Sequence, residues 1–380
     1  MSGIISIRPV ASKADRKAFV DFAWEVYKDD PNWVPPLKDE VHGLLDPKRN
    51  PWFGHGKAEL WLAERDGKIV GRISAQVDEL VQDHMQPGTG QWGMFEALEA
   101  EAAIALIKAA EDWLRRQGMV SALGPISISI WDEPGLLIQG FDQPPMVMMG
   151  HHRPEYAGWI EAAGYAKAKD LYTYELDIRV DMIPVIDRLI KAGEANPRIN
   201  VRTVDTSRFT EEAAIILHLL NDAWSENWGF VPLTETEIAY AAKKLKPIIY
   251  DDLVRIAEYD GEPVAFMITI PDINELIRDL NGELFPFGWA KLLWRLRNPR
   301  TSRVRVPLMG VAKKLQGTRL AGQLAFMLIE HTRRVCVGKY GVTHGEFGWV
   351  LEDNQGMMSI AQLPGANINH TYRIYEKSLA

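Results

Sequence analysis

The sequence predicts an α/β protein built from two domains of one fold. Three observations carry this. First, the chain repeats itself. ISIRPV at Ile5–Val10 recurs as INVRTV at Ile199–Val204, and AERDGKIVG at Ala63–Gly71 recurs as AEYDGEPVA at Ala257–Ala265, both at an offset of 194 residues. EAAGYAKAKDLYTYE, ending at Glu175, is echoed by AQLPGANINHTYRIYE, ending at Glu376, at an offset of 201. A repeat this long is a domain duplication, not a solenoid unit of a few dozen residues. Second, strand-period and helix-period segments alternate in both halves. Third, 380 residues with 47% hydrophobic content suffice for two ordinary cores. The expected division is residues 1–180, a linker at 181–198, and residues 199–380 with a helical insertion at 272–300.

The second half reads clearly. Ile199–Asp205 alternates as a strand, and Phe209–Glu226 places Ala213, Ile216, Leu217, Leu220 and Trp224 at helical spacing. Asp252–Tyr259 and Pro263–Ile270 are strands joined by Asp260-Gly261, a hairpin signal. A mostly helical insertion follows, broken at Pro286-Phe287-Gly288. The strand Arg303–Gly310 runs into a long amphipathic helix with Leu320, Leu324, Met327, Leu328 and Val335 on its apolar face. The strand His344–Leu351, a short helix from Asn354 stopped at Pro364-Gly365, and the strand Asn369–Glu376 complete the half.

The order β-α-α-β-β-β-α-β-α-β resembles the GNAT acyltransferase superfamily in both halves, which implies two tandem domains, each a mixed, mostly antiparallel sheet flanked by helices. In that superfamily a turn of the form Gln/Arg-x-x-Gly-x-Gly/Ala holds the pyrophosphate of coenzyme A. Here it reads Gln316-Gly317-Thr318-Arg319-Leu320-Ala321, between a strand and a helix. Free N–H groups and the positive dipole end of a helix favour an anion there, and Lys313 and Lys314 add charge. Arg319 departs from the motif, since glycine is usual there; it replaces a close backbone approach with a guanidinium able to pair with phosphate. The resemblance implies donor contacts from Met309 and Val311 on the preceding strand. It also implies a pantetheine contact from Asn354, which reads equally as a helix N-cap. A tyrosine that often serves as general acid is replaced by Ala361.

The corresponding turn of the first half has no glycine between Gly93 and Gly118, and Glu96, Glu99 and Glu101 cluster where phosphate would sit. The first domain is therefore expected not to bind coenzyme A and to shape the acceptor site. Its run Gly124–Trp159 is dense in polar and turn residues, and long loops of this kind carry function. Asp132, Glu133, His151, His152 and Tyr156 are candidates for acid, base or amine recognition; Asp132-Glu133-Pro134-Gly135 reads equally as a turn. His151-His152 lacks the spacing of a helical metal pair and no thiolate cluster accompanies it, so no metal is expected. The Trp- and Pro-rich loop Asp29–Glu59 reads as a lid or a packed Ω-loop.

DDPNWVPPL, NPWFGHGKAELWLAERDGKIVGRI, GPISISIWDEPGLL and NDAWSENWGFVPLT resemble a group of tandem GNAT-like bacterial proteins that includes acyl-CoA-dependent ceramide synthases. The reaction this implies is transfer of an acyl group, long-chain by analogy, from coenzyme A to the amine of a lipid or sphingoid base. A base must deprotonate the incoming ammonium. Glu346, with His344 on the same strand face, is the first candidate; Glu352, Asp353, His152 and Asp132 follow. Tyr372 and Tyr375 are candidate acids, with sheet packing as their bland alternative. Alternating Trp289, Trp294, Lys291, Arg295, Arg297 and Arg300 suits an interfacial helix on an anionic membrane or a surface helix packed on protein. Rival readings are an acetyltransferase for a small soluble amine, a non-catalytic acyl-CoA-binding module, and aminoacyl transfer from tRNA. A net charge of −8 argues against nucleic acid. No apolar leader or stretch of ~18 apolar residues stands out, and Cys336 is alone. The expected location is the cytoplasm, with peripheral contact at the inner membrane.

Overall fold

The computed structural model describes residues 3–380. They fall into two compact units. Unit one comprises Met1–Leu171, Ile277–Leu284 and His370–Ala380; unit two comprises Tyr172–Leu276 and Phe285–Asn369. The units follow the sequence halves with three exchanges, the first being that residues 172–180, expected in the first domain, group with unit two. Part of the expected insertion and most of the last strand group with unit one.

Unit one contains β1 (Ser6–Pro9), α1 (Lys13–Val26), α2 (Lys38–Leu44), β2 (Gly56–Arg65), β3 (Lys68–Asp78), α3 (Glu79–His84), β4 (Thr89–Ala97), α4 (Ala100–Arg116) and β5 (Ser121–Gly124). β6 (Ile126–Ser127), β7 (Glu133–Pro134), β8 (Leu136–Gln139) and α5 (Glu155–Ala162) follow, and then β9 (Ala166–Asp177), which ends in unit two. Ser12 starts α1 with a capping box, its hydroxyl accepting the Asp15 N–H while the Asp15 carboxylate accepts the Ser12 N–H. α4 buries Ala103, Leu106, Ala110 and Leu114, one stripe at helical spacing, against the sheet. Asp66-Gly67 turns β2 into β3 with both residues at positive φ.

Unit two contains α6 (Pro184–Glu194), β10 (Ile199–Thr203), α7 (Phe209–Trp224), α8 (Glu235–Leu245), β11 (Val254–Tyr259), β12 (Glu262–Pro271), α9 (Ile273–Ile277), α10 (Gly288–Leu296), β13 (Arg303–Val311), α11 (Arg319–Val335), β14 (His344–Leu351), α12 (Gln355–Gln362) and β15 (Asn367–Ser378). The segment 181–198, expected as a linker, is mostly helix. Ile186 and Ile190 of α6 are buried against Phe326 and Met327 of α11, so an apolar stripe holds it in the core. The Asp260-Gly261 hairpin forms, both residues at positive φ.

Each sheet is antiparallel except for one pair. β1, β2, β3 and β4 are antiparallel neighbours, and β5 joins β4 parallel. The end of β15 closes unit one, with Tyr375 opposite Gly124. In unit two β10, β11, β12 and β13 are antiparallel and β14 joins β13 parallel. A parallel neighbour requires a crossover, and α4 and α11 supply it.

Both parallel pairs part company. β4 and β5 pair only over Thr89–Gln91 and Ser121–Leu123, although β4 runs on to Ala97. β13 and β14 pair only over Arg303–Val306 and His344–Phe347, and both strands continue. A register shift beside each divergence, between Arg72 and Ser74 and between Ile268 and Ile270, marks an extra residue that bends the strand away. In unit one the gap is plugged by the chain itself. β6 crosses β4 so closely that a Cβ on Gly93 would lie 2.2 Å from the Ile126 carbonyl oxygen, and the Met94 N–H donates to Ser127 Oγ at 3.0 Å.

Because that obstacle is backbone, Gly93→Ala must displace β6. The expected loss is about 1–3 kcal/mol, the range for overpacking a well-filled core. It is read from the shift in urea midpoint at constant slope.

Candidate active site

In unit two the gap between β13 and β14 stays open. Trp224, Pro307, Met309, Gly348, Trp349 and Asn354 are among the residues that line it. Trp224, at the end of α7, donates its indole N–H to the Met309 carbonyl at 3.0 Å and lies 6.0 Å from the Trp349 ring. Asn354 is the N-cap of α12, its side-chain oxygen accepting the Met357 N–H at 3.1 Å, so the capping role and the place in the opening coincide.

At the point of divergence stands a buried polar chain. Arg305 and Glu346 are cross-strand partners, and their side chains form a buried ion pair at 3.7 Å. Glu346 Oε2 accepts the Asn369 amide at 2.8 Å, and the Asn369 oxygen accepts the Thr173 hydroxyl at 2.6 Å. Arg305 also donates to the Gly348 carbonyl at 2.9 Å. Gly348 has φ +146°, and a Cβ there would meet the Tyr172 carbonyl at 2.8 Å, so only glycine fits. Burial pushes the Glu346 carboxyl above the usual range, against the pull of Arg305 and Asn369. A carboxylate so perturbed holds a proton to higher pH than an ordinary glutamate does.

On the other face lies an apolar cavity of ≈ 80 Å³. Val304, Val306 and Phe347 line it from the sheet, and Ile329, Ile360 and Ala361 from α11 and α12. Period-two alternation places the side chains of Arg305 and Glu346 on the opposite face from these sheet residues. Val306 and Phe347, the last paired residues, border both the cavity and the strand opening.

The turn Gln316–Ala321 sits at the start of α11 as expected. Thr318 is its N-cap, accepting the Ala321 N–H at 3.2 Å, and Gln316 ties the turn to the Ala223 and Val311 carbonyls. Gly317 has φ +74° with open space around it, and Arg319 and Leu320 begin the helix, Arg319 exposed. Lys313 and Lys314 pair with Glu226 and Glu262, each at 2.6 Å. Such exposed pairs are weak, so an arriving phosphate can displace them. Val311 ends β13 and accepts from Gln316.

The remaining candidates lie elsewhere. Glu352 is partly buried and Asp353 exposed, both in the turn after β14. Tyr372 and Tyr375 group with unit one. Tyr372 is fully buried and donates to the Gly150 carbonyl at 3.1 Å, a packing role. Asp132 accepts the Ser129 hydroxyl at 2.6 Å within a turn. His152 Nδ1 accepts the Leu137 N–H at 3.0 Å and Nε2 faces Glu133 at 3.8 Å. Burial holds its pKa at about 3, and with the Nδ1 lone pair occupied no basic nitrogen remains free.

The first half does gather an ionisable cluster. Glu96 accepts the Tyr27 and Tyr156 hydroxyls at 2.7 and 2.8 Å, with Arg72 at 3.6 Å. Glu99 and Glu101 instead pair with Arg65 and close the turn where phosphate was judged absent. Arg305, Asn369, Thr173 and Tyr27 were not anticipated. The signal for Arg305 was available, since a basic residue sits in a strand at the same remove from its parting point as Glu346.

No family model matches the chain. It is 43% identical over 378 residues to the bacterial ceramide synthase of Caulobacter vibrioides (strain NA1000 / CB15N), covering 99% of this chain and 98% of that one. It is 42% identical over 376 residues to Protein YghO of Escherichia coli (strain K12), covering 98% and 95%. Among solved structures, a tandem GNAT protein from the clavulanic acid biosynthesis pathway aligns over 99% of both chains with a TM-score of 0.58 at 14% identity. A GCN5-related N-acetyltransferase from Sphaerobacter thermophilus aligns over 99% and 96% with a TM-score of 0.53 at 14% identity. These two show the fold.

Glu96 generates a pH prediction. Burial raises its pKa from 4.5 to about 7. The folded state then binds the proton more tightly than the unfolded one. The stability this contributes is complete below the unfolded value and is lost as pH rises from 4.5 through 7, by up to roughly 3 kcal/mol. Thermal melts from pH 4.5 to 8 should show this decline, and Glu96→Gln should flatten it.

Proposed function

We propose a division of roles among these residues from one premise: the chain belongs to the bacterial ceramide synthase family, and it is a GNAT-type N-acyltransferase. The donor is acyl-CoA and the acceptor is the primary amine of a lipid, a sphingoid base in the sharpest form of the reading. The observation that carries it is an open strand divergence in unit two, with a buried carboxylate at its apex and a glycine-bearing helix start at Gln316–Ala321 beyond it.

The pyrophosphate binds at the start of α11, where helix N–H groups, Lys313, Lys314 and Arg319 favour an anion. Pantetheine runs through the opening past Asn354, and the thioester rests between β13 and β14 near Met309 and Val311. Backbone N–H groups of the parted strands polarise its carbonyl. Glu346 takes a proton from the incoming ammonium, directly or through one water. The amine nitrogen then bonds to the carbonyl carbon, its remaining surplus proton passes to solvent, the C–S bond breaks, and the thiolate leaves and takes a proton from solvent. Unit one, whose equivalent gap is plugged by β6 and whose turn is acidic, contributes no donor site.

The lipid reading has its own support in unit two. Phe285, Phe287 and Trp294 are 85%, 78% and 75% exposed, and Trp289 and Leu293 are more than half exposed. Together they make an apolar ridge on and before α10, flanked by Lys291, Arg297 and Arg300. Aromatic residues beside basic ones suit the headgroup layer of an anionic bilayer.

Glu346→Gln should lower kcat by roughly 10²–10⁴ while coenzyme A affinity stays near wild type. The wild-type kcat should rise with pH through a value above the ordinary glutamate range, and the variant should lack that limb. Gly317→Asp should do the opposite, weakening coenzyme A binding in calorimetry from a starting stoichiometry of one per chain. Two sites per chain, or a Glu346→Gln enzyme at full rate across pH, would refute the assignment.

Trp289→Ser with Trp294→Ser should reduce sedimentation with anionic liposomes and slow acylation of a sphingoid base presented in them, with coenzyme A affinity retained. Wild-type protein that ignores liposomes and acylates short polyamines equally well would make this a small-molecule acetyltransferase.

A further inference from the structure

Resting on the acyl-CoA reading of unit two, we propose that the apolar cavity beneath α11 and α12 seats the donor's acyl chain, and that Ala361 and Ile329 set the length it accepts. The position argues for the donor. Val306 and Phe347 border both the cavity and the strand opening, so a chain leaving a thioester held in the opening has a direct way in. The sheet then separates the two substrates. Alternation turns the Glu346 and Arg305 side chains to one face and Val304, Val306 and Phe347 to the other, with Glu346 also bordering the cavity where the two faces meet. An amine that must meet Glu346 approaches from the polar face, and its own alkyl tail begins on that side.

The chemistry of the lining fits a hydrocarbon. Leu176, Ile178 and Met267 join the residues above, and the one thiol, Cys336, is buried in the same wall with its pKa pushed up to about 12 by burial. A group so hard to ionise belongs to a site for neutral, apolar matter. The size fits part of a chain. On the scale where a cavity of about 150 Å³ takes one six-carbon benzene, ≈ 80 Å³ admits about three methylene-sized groups. Ala361 is buried there and contributes only a methyl group, so this position leaves room that any larger side chain would fill.

The test is a matrix of donors and acceptors. With the purified full chain and one sphingoid base, the wild-type KM for saturated acyl-CoA should fall about fourfold per added methylene over a run of about three carbons and then level off. Ala361→Phe should move that plateau to shorter donors, with acetyl-CoA turnover kept, and Ile329→Ala should move it to longer ones. In a second arm, acetyl-CoA is fixed and the amine's chain length varied; both variants should follow wild type. A wild-type KM indifferent to donor length overturns the proposal, as does a shift in the acceptor series instead of the donor series. Equal loss with every donor in both variants also overturns it, since that is what a merely structural wall would give. No turnover from any acyl-CoA by wild type would instead remove the underlying acyltransferase reading.

Discussion

The structure turns on one constraint: a parallel strand pair that cannot stay paired. β13 and β14 exchange hydrogen bonds for four residue pairs and then separate. The cause is local. An extra residue in β13 opposite Ile268–Ile270 changes the direction of the strand, and Gly348 carries β14 through a backbone conformation that other residues resist. Separation exposes backbone groups that a sheet would normally satisfy, and exposed N–H and C=O groups seek partners. In unit two Trp224 meets one, at the Met309 carbonyl, and Arg305 meets another, at Gly348. The remainder border the opening through which, under the proposed function, the pantetheine arm runs.

The two units answer the same constraint in opposite ways. In unit one the parted strands are bridged by β6, and Gly93 exists to let that bridge pass. Glu96 and its tyrosines then fill the ground behind it. Each tyrosine hydroxyl has both the carboxylate and a backbone carbonyl within reach but carries one proton. A neutral Glu96 can donate to one tyrosine oxygen and so frees both hydroxyl protons for the His151 and Ala97 carbonyls, the geometric counterpart of its raised pKa. A plugged, internally satisfied gap is a structural solution. An open one that keeps a charged pair at its apex is a functional expense, of the kind proteins retain where chemistry is done.

The repeat, the element order and the turn at Gln316–Ala321 were legible because they depend on local signals: periodicity, Asp-Gly hairpins, and a helix start beside glycine. Glu346 was legible because strand alternation and neighbourhood fix its face. The exchange of Ile277–Leu284 and of the last strand into unit one was not, since it depends on contacts such as Trp24 with Asn281, far apart in sequence. Segment 181–198 was read as a linker between the two repeats; burial of Ile186 and Ile190 against α11 makes it part of the core instead. His152 looked like a base by residue type alone. Its lone pair is spent on the Leu137 N–H, a fact that only the folded backbone reveals. The cavity was invisible for a deeper reason. It is a property of what is missing between side chains of β9, β12, β13, β14, α11 and α12, and no single residue announces it.

The missing tyrosine at Ala361 gains a meaning from this. Taken alone, the substitution removes a candidate acid and weakens the case for catalysis. In the folded chain the same position borders the cavity, where a phenol would occupy space and present a hydroxyl to an apolar wall. A buried hydroxyl without a partner destabilises by about 1–3 kcal/mol, and the volume it would take is that of several methylenes. An acid at this point and a chain beside it are therefore alternatives. A thiolate facing an open splay can take its proton from water, whereas a hydrocarbon has nowhere else in the opening to go. Under the proposed donor site, the departure from the acyltransferase pattern at Ala361 leaves space for the start of the donor's chain.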